Sequence, residues 1–135
     1  MVVHLQFSPV RLGIATVLIL VFDLIWLKAA TTLKVYPSSA LTDVKIGYGL
    51  LAWIPLALAQ SMGNPKTYLE AIMYGGGVGF LSFSVFNGTE LALRPDWRSW
   101  KTPTLDILWG TVQHALVALL VFVIQNDRRK KQNKA

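Results

Sequence analysis

Four stretches of this chain are long and apolar enough to cross a lipid bilayer, and that feature leaves little choice of fold. A membrane core about 30 Å thick asks for roughly 20 mostly apolar residues per helix, because backbone amides in lipid have no water to bond and must bond along their own helix. The runs fall at about residues 10–33, 43–62, 65–87 and 103–125 of the 135. They predict one all-α transmembrane domain over residues 1–135: an integral, multi-pass membrane protein of four helices in an up-down bundle, with both termini on the same side and a basic tail at 126–135. A composition of 53% hydrophobic and 15% charged residues, with a mean hydropathy of +0.47, lies outside the usual soluble range. The first run, about Val10 to Leu33, is read as a span and not as a cleaved signal peptide. It is too long, carries Asp23, and is followed by no small-x-small cleavage site.

Local signals mark the ends of the runs. Tyr36, Pro37, Ser38 and Ser39 read as a turn, and Thr42 or Asp43 as the N-cap of a second helix that Pro55 should kink. Gly63-Asn64-Pro65 reads as a C-cap glycine, an N-cap asparagine and a first-turn proline, which predicts a tight hairpin between the second and third helices. The third helix carries Gly75 and Gly79 as a GxxxG, so another helix should pack closely on it. After Asn87-Gly88 the segment to Lys101 is too polar to span, and Trp97 and Trp100 beside Arg94, Arg98 and Lys101 look like an interfacial belt. Thr102-Pro103 or Thr104 then opens the last helix.

The net charge of +6 raises the question of nucleic acid, but most of the excess sits after Gln125, where Arg128, Arg129, Lys130, Lys131 and Lys134 oppose only Asp127. That is a juxtamembrane basic tail whose natural partner is the lipid surface, and no nucleic acid is expected. Lys and Arg divide seven to six between the two sides: Arg11, Lys66 and the five of the tail against Lys28, Lys34, Lys45, Arg94, Arg98 and Lys101. The dense tail directly after a span decides for cytoplasmic N- and C-termini. With no cysteine there is no disulfide framework and no thiolate metal site. His4 and His114 have no metal-ligand spacing, and no motif for a cofactor or a soluble catalytic centre is present.

Polar residues inside the apolar runs are the candidates for function, since a charge there is costly and needs a reason. Asp-x-x-Trp occurs twice, as Asp23 and Trp26 in the first run and as Asp106 and Trp109 in the last. Helix rise puts Asp23 and His114 both roughly 15 to 17 Å below the outer surface, so the two are expected to meet across neighbouring first and last helices. An Asp–His pair there suits proton relay or a cationic ligand; the plainer alternative is that Asp23 only joins helices. Asp106 falls in the expected first turn of its helix, where capping explains an acid. Against that stands the stripe Asp106, Trp109, Gly110, Gln113, His114 and Val117, whose spacing of three and four keeps it on one face, which should point inward. Asn87 and Glu90 could close the cluster, whereas Gln60 and Glu70 read as solvated hairpin residues. Asn87-Gly88-Thr89 matches a glycosylation sequon too close to the bilayer to be used.

The sequence Phe86-Asn87-Gly88-Thr89-Glu90-Leu91-Ala92, then Trp97 or Trp100, then Asp106-Ile107-Leu108-Trp109-Gly110-Thr111, resembles a family of small four-helix membrane proteins known mainly from bacterial genomes, catalogued as domain of unknown function twenty-one seventy-seven. Asp23, Trp26 and Leu27 match its first-helix Asp-x-x-Trp-Leu, and the resemblance covers about Leu12 to Leu120. It departs where the family reads Tyr-Asp-Leu-Thr-Asn-Leu-Ala: Phe86, Asn87 and Glu90 stand for the tyrosine, aspartate and asparagine, so an acid has moved by three residues. The resemblance implies the four-helix architecture and a polar cluster, and no activity or substrate.

Taken together these residues favour a small transport or ligand-binding membrane protein over an enzyme, with Asp23, Trp26, Asn87, Glu90, Asp106, Trp109 and His114 as the binding or proton-relay set. A homodimer through the glycines of the third helix is one expectation. The alternatives are a structural or accessory subunit of a larger membrane complex, and a membrane enzyme using Asp and His on a lipid.

Overall fold

The computed structural model describes residues 4–36, 46–93 and 100–132. In chain order these form β1 (His4–Leu5), α1 (Pro9–Thr32), α2 (Ile46–Met62), β2 (Gly63–Asn64), α3 (Tyr68–Leu93) and α4 (Lys101–Gln132). The turn expected at Pro37–Ser39, the Thr42 or Asp43 cap, and Arg94, Trp97 and Arg98 of the expected belt lie outside the described residues. α1, α3 and α4 are each long and apolar enough to cross a membrane. The described α2, at 17 residues, is about 26 Å long by helix rise, a little short of a bilayer core.

α1 starts where Ser8 caps it, its side chain accepting from the Arg11 amide at 3.3 Å with Pro9 just inside the helix. It ends in a Schellman turn: the Val35 amide reaches the Ala30 carbonyl at 2.8 Å, the Lys34 amide reaches Thr31 at 3.1 Å, and Lys34 takes a left-handed φ of 57°. Val35 and Ala30 are both buried, the apolar contact that accompanies this turn. The reversal carries Tyr36 back toward α4, where the Thr102 hydroxyl bonds the Val35 carbonyl at 3.2 Å.

The connection between α2 and α3 differs from the expected two-cap hairpin. Asn64 is extended and pairs with His4 while Gly63 pairs with Leu5, a two-residue antiparallel ladder that an all-α expectation leaves out. The physical reason is Pro65, whose ring disfavours helical backbone in the residue before it. α3 therefore begins three residues beyond Pro65. Thr67 is its cap, its hydroxyl accepting from the Glu70 amide at 3.1 Å, and the Glu70 carboxylate reaches back to the Lys66 amide at 2.7 Å. α3 also runs on past Asn87-Gly88 to Leu93, and α4 begins at Lys101 and continues into the basic tail.

The helices form a ring in which each contacts the next and α4 closes back on α1. The tightest seam is α3 on α4. A side chain at Gly75 would strike the His114 carbonyl and the Ala118 methyl, and one at Gly79 the Gly110 carbonyl, while Phe83 covers Gly110 in return. The GxxxG is thus used within the chain, and a dimer through that face would have to displace α4. An apolar core of Ala15, Ile19, Ala57, Val117 and Val121 joins α1, α2 and α4. At one end of the bundle Arg11 is buried, its guanidinium donating to the Gly63 and Gln6 carbonyls, so this charge is a clasp on the β1–β2 pair and not a surface cation.

The bundle has an apolar exterior over a polar interior. Val17, Val21, Leu24, Leu81, Val85, Leu108 and Val112 are exposed, whereas Gln60, Ser61, Asn87, Asp106, Gln113 and His114 are buried. Hydroxyls within the helices turn back on their own backbone, as Thr16 does on Leu12 at 2.8 Å and Thr111 on Ile107 at 2.8 Å, which is how such groups are satisfied where water is absent.

Candidate functional site

Asp106 is the centre of the polar interior. Because α4 opens at Lys101, Asp106 sits in its second turn, and no acid lies in the first. The expected capping role is replaced by tertiary bonding. Its Oδ1 accepts from Trp26 Nε1 at 3.0 Å and from the Tyr36 hydroxyl at 2.7 Å, and its Oδ2 from Asn87 Nδ2 at 2.9 Å. Three donors from α1, the turn after it and α3 thus converge on a side chain only 3% exposed, an arrangement that suits a carboxylate in its acceptor-only form. Burial, and then the Asp106 carboxylate beside it, push the Tyr36 phenol up, so it remains a donor at any physiological pH. Asn87 is 1% exposed and committed to Asp106 and the Phe83 carbonyl, which removes it as a glycosylation acceptor.

The two Asp-x-x-Trp motifs meet face to face. α1 and α4 are antiparallel, so Trp26 lies against the second motif and stacks on Trp109 with ring centroids 5.1 Å apart and planes 9° from parallel. The bond from Trp26 to Asp106 has no mirror image. Trp109 Nε1 is buried with no partner among the described residues, and Asp23 accepts instead from Gln113 Nε2 at 2.7 Å.

The expected contact between Asp23 and His114 is not formed. Asp23 lies level with Gln113, one residue from His114, but successive residues on a helix point about 100° apart, so His114 is turned away from it. Gln113 faces α1, and His114 faces α2 and α3. His114 Nδ1 lies 3.0 Å from Gln60 Nε2, its ring is 5.9 Å from that of Phe83, and it is fully buried. The other ring nitrogen, Nε2, has no partner among the described residues. Gln60, expected to be solvated, is 3% exposed because it fills this position.

A cavity of about 920 Å³ opens beside this network, lined from α1 by Asp23 and Trp26, from α2 by Trp53 and Leu56, from α3 by Phe83 and Glu90, and from α4 by Asp106. Asn87, Trp109 and His114 stand behind its walls, not in them. Residues missed from the sequence are Tyr36 and Thr102, which lie beyond the apolar runs and carry no pattern, and Trp53, which nothing sets apart within its apolar run. Gln113 and Gln60 did carry a signal, as amides inside apolar runs. Among the described residues no three His, Asp or Glu side chains are placed to share a metal ion. No known family, curated protein or solved structure matches the chain, so the resemblance to the four-helix family rests on the residues quoted for it.

Proposed function

We propose that this chain is a four-span membrane protein that binds a small molecule within the bilayer, in the cavity between its helices, and that it serves transport or ligand capture. The observation that carries the reading is that cavity: about 920 Å³, inside a bundle with an apolar exterior, walled by apolar side chains and by Asp23 and Asp106. Ligand sites are typically clefts of about 300–1,000 Å³ with a few convergent polar groups on apolar walls. Three helices long enough to span support the membrane assignment. α2, shorter than the bilayer core, serves as the fourth span through local thinning of the bilayer around it, in line with the family resemblance. The basic tail directly after a span supports cytoplasmic termini.

Because the chain has no cysteine, single cysteines test both parts. Ser82 lines the cavity, so Ser82→Cys in lipid nanodiscs should react with a small uncharged maleimide, while Ala71→Cys, fully buried in the bundle, should not. Equal rates at the two positions would remove the cavity. Ser99→Cys should react in intact cells with an impermeant reagent, and protection from it would invert the topology.

A further inference from the structure

We infer that the cavity takes an organic cation of single charge with an apolar or aromatic body, admitted sideways from the bilayer between α2 and α3. This rests on the ligand-binding reading above and names its ligand class.

The route follows from where the helices touch. α2 and α3 meet near their connection, where the Tyr74 hydroxyl bonds the Ala59 carbonyl and the Tyr74 ring covers Gly63. Farther along, at Leu51 to Leu56 on one side and Ser82 to Glu90 on the other, the two helices form opposite walls of the cavity. Leu51 is 72% and Phe86 56% exposed, so the rim is apolar and lies on the lateral surface of the bundle. A ligand that uses this opening must itself dissolve in lipid.

The charge follows from the lining. Every charged lining side chain among the described residues is an acid: Asp23, Glu90 and Asp106. Asp106 is occupied by its three donors. Asp23 receives Gln113 and keeps acceptor capacity, since a carboxylate offers about four lone-pair sites. A carboxylate at membrane depth is costly alone, and a cation that neutralises it recovers that cost. An anion or a neutral molecule would leave it unchanged. Glu90 has a partner of its own, so the carboxylate that sets the charge is Asp23, and it sets one. The indoles of Trp26 and Trp53 on the same walls are the side chains that best attract a cation through their ring faces. A cavity of about 920 Å³ is far larger than a hydrated metal ion needs, so the charge must sit on an organic body.

Tetraphenylphosphonium and tetraphenylborate are near-isosteric and differ in sign, which makes them the direct probes. Radiolabelled tetraphenylphosphonium would be equilibrated with the protein in phosphatidylcholine nanodiscs, with empty nanodiscs subtracted and tetraphenylborate run in parallel. Saturable binding of the cation alone is expected. It should be weakened at least about tenfold by Asp23→Asn, and weakened also by Ala52→Trp, which narrows the cavity at its α2 wall and leaves Asp23 in place. Ala52→Trp keeps the test decisive if Asp23→Asn does not fold, because cation binding of unchanged affinity in the narrowed cavity overturns the inference. Equal saturable binding of both probes, or cation binding that Asp23→Asn leaves unchanged in folded protein, overturns the cation inference and leaves a ligand cavity standing. No saturable binding of either probe, with Ser82→Cys no more reactive than Ala71→Cys, overturns both readings.

Discussion

Replacing Asp106 with leucine strips three donors of their acceptor at once, and the structure sets the size of the effect. The bonds from Trp26, Tyr36 and Asn87, at 3.0, 2.7 and 2.9 Å, disappear together. At about 0.6 kcal/mol for an average interhelical hydrogen bond in a membrane protein, three amount to about 2 kcal/mol. A buried donor left without a partner costs more, about 1–3 kcal/mol. Asn87 keeps the Phe83 carbonyl at 2.9 Å, and half-buried Tyr36 can turn its hydroxyl outward, so that heavier penalty falls on Trp26, and the total should be about 3 kcal/mol. Asp106→Asn is the control. It keeps one acceptor oxygen, and Asn87 can flip its amide to offer Oδ1, which has no partner among the described residues, to the new NH2, so the cost should be about 1 kcal/mol. Unfolding by dodecyl sulfate in mixed micelles, followed by tryptophan emission, measures both. A difference between the two variants below about 1 kcal/mol, less than one stranded buried donor costs, would refute the claim that Asp106 holds the bundle together.

Gly79→Leu should destabilise by about 3 kcal/mol or prevent folding, because its side chain would enter the Gly110 backbone. Gly77→Ala, with nothing within 4 Å, should be neutral or stabilise by up to about 1 kcal/mol through helix propensity; the same unfolding assay reads both. Lys34→Gly should stabilise by about 1 kcal/mol, since Lys34 holds a φ of 57° that glycine adopts without strain, and a loss of stability would count against the Schellman turn. Asp23→Asn and His114→Gln should add to within about 0.5 kcal/mol, because the two residues share no partner; a strong coupling would mean that they touch. Trp26→Phe should cost about 1 kcal/mol more than Trp109→Phe, since only Trp26 Nε1 has an acceptor, and equal losses would contradict that asymmetry.

The helices were legible because a run long and apolar enough to cross a bilayer has one regular solution, a helix closed at its ends. The α1 boundaries expected at about 10–33 lie within one residue of Pro9–Thr32. The GxxxG at Gly75 and Gly79 was legible as a close contact for the same reason, a backbone approach that no side chain permits, although not that the partner would be α4 of the same chain. What failed were features set by direction or by tertiary partners. Asp106 looked like a cap only because the helix was started two residues late, and nothing in its own neighbourhood announces Tyr36, seventy residues earlier, as a donor. Asp23 and His114 shared a depth but not an azimuth, which a count of helical rise cannot supply. Gln60 was read as solvated from its place near the end of an apolar run, whereas burial of His114 required a polar neighbour on α2.

The repeated Asp-x-x-Trp is best understood from how its two copies differ once they face each other. Antiparallel packing of α1 on α4 brings the copies into register, and the Trp26–Trp109 stack fixes their separation. If both copies closed on each other, each acid would take the opposite indole and no carboxylate would remain for a ligand. Only one does. Asp106 takes Trp26 and is completed by Tyr36 and Asn87, which ties α4 to α1 and α3. Asp23 leaves Trp109 Nε1 without a partner among the described residues and turns to Gln113 at the wall of the cavity. Both acids line the cavity, but the motif commits its carboxylate to three interhelical donors in one copy and leaves it acceptor capacity in the other. What separates the roles is the neighbours: α3 supplies a third donor to Asp106, whereas beside Asp23 the gap between α2 and α3 leaves open space.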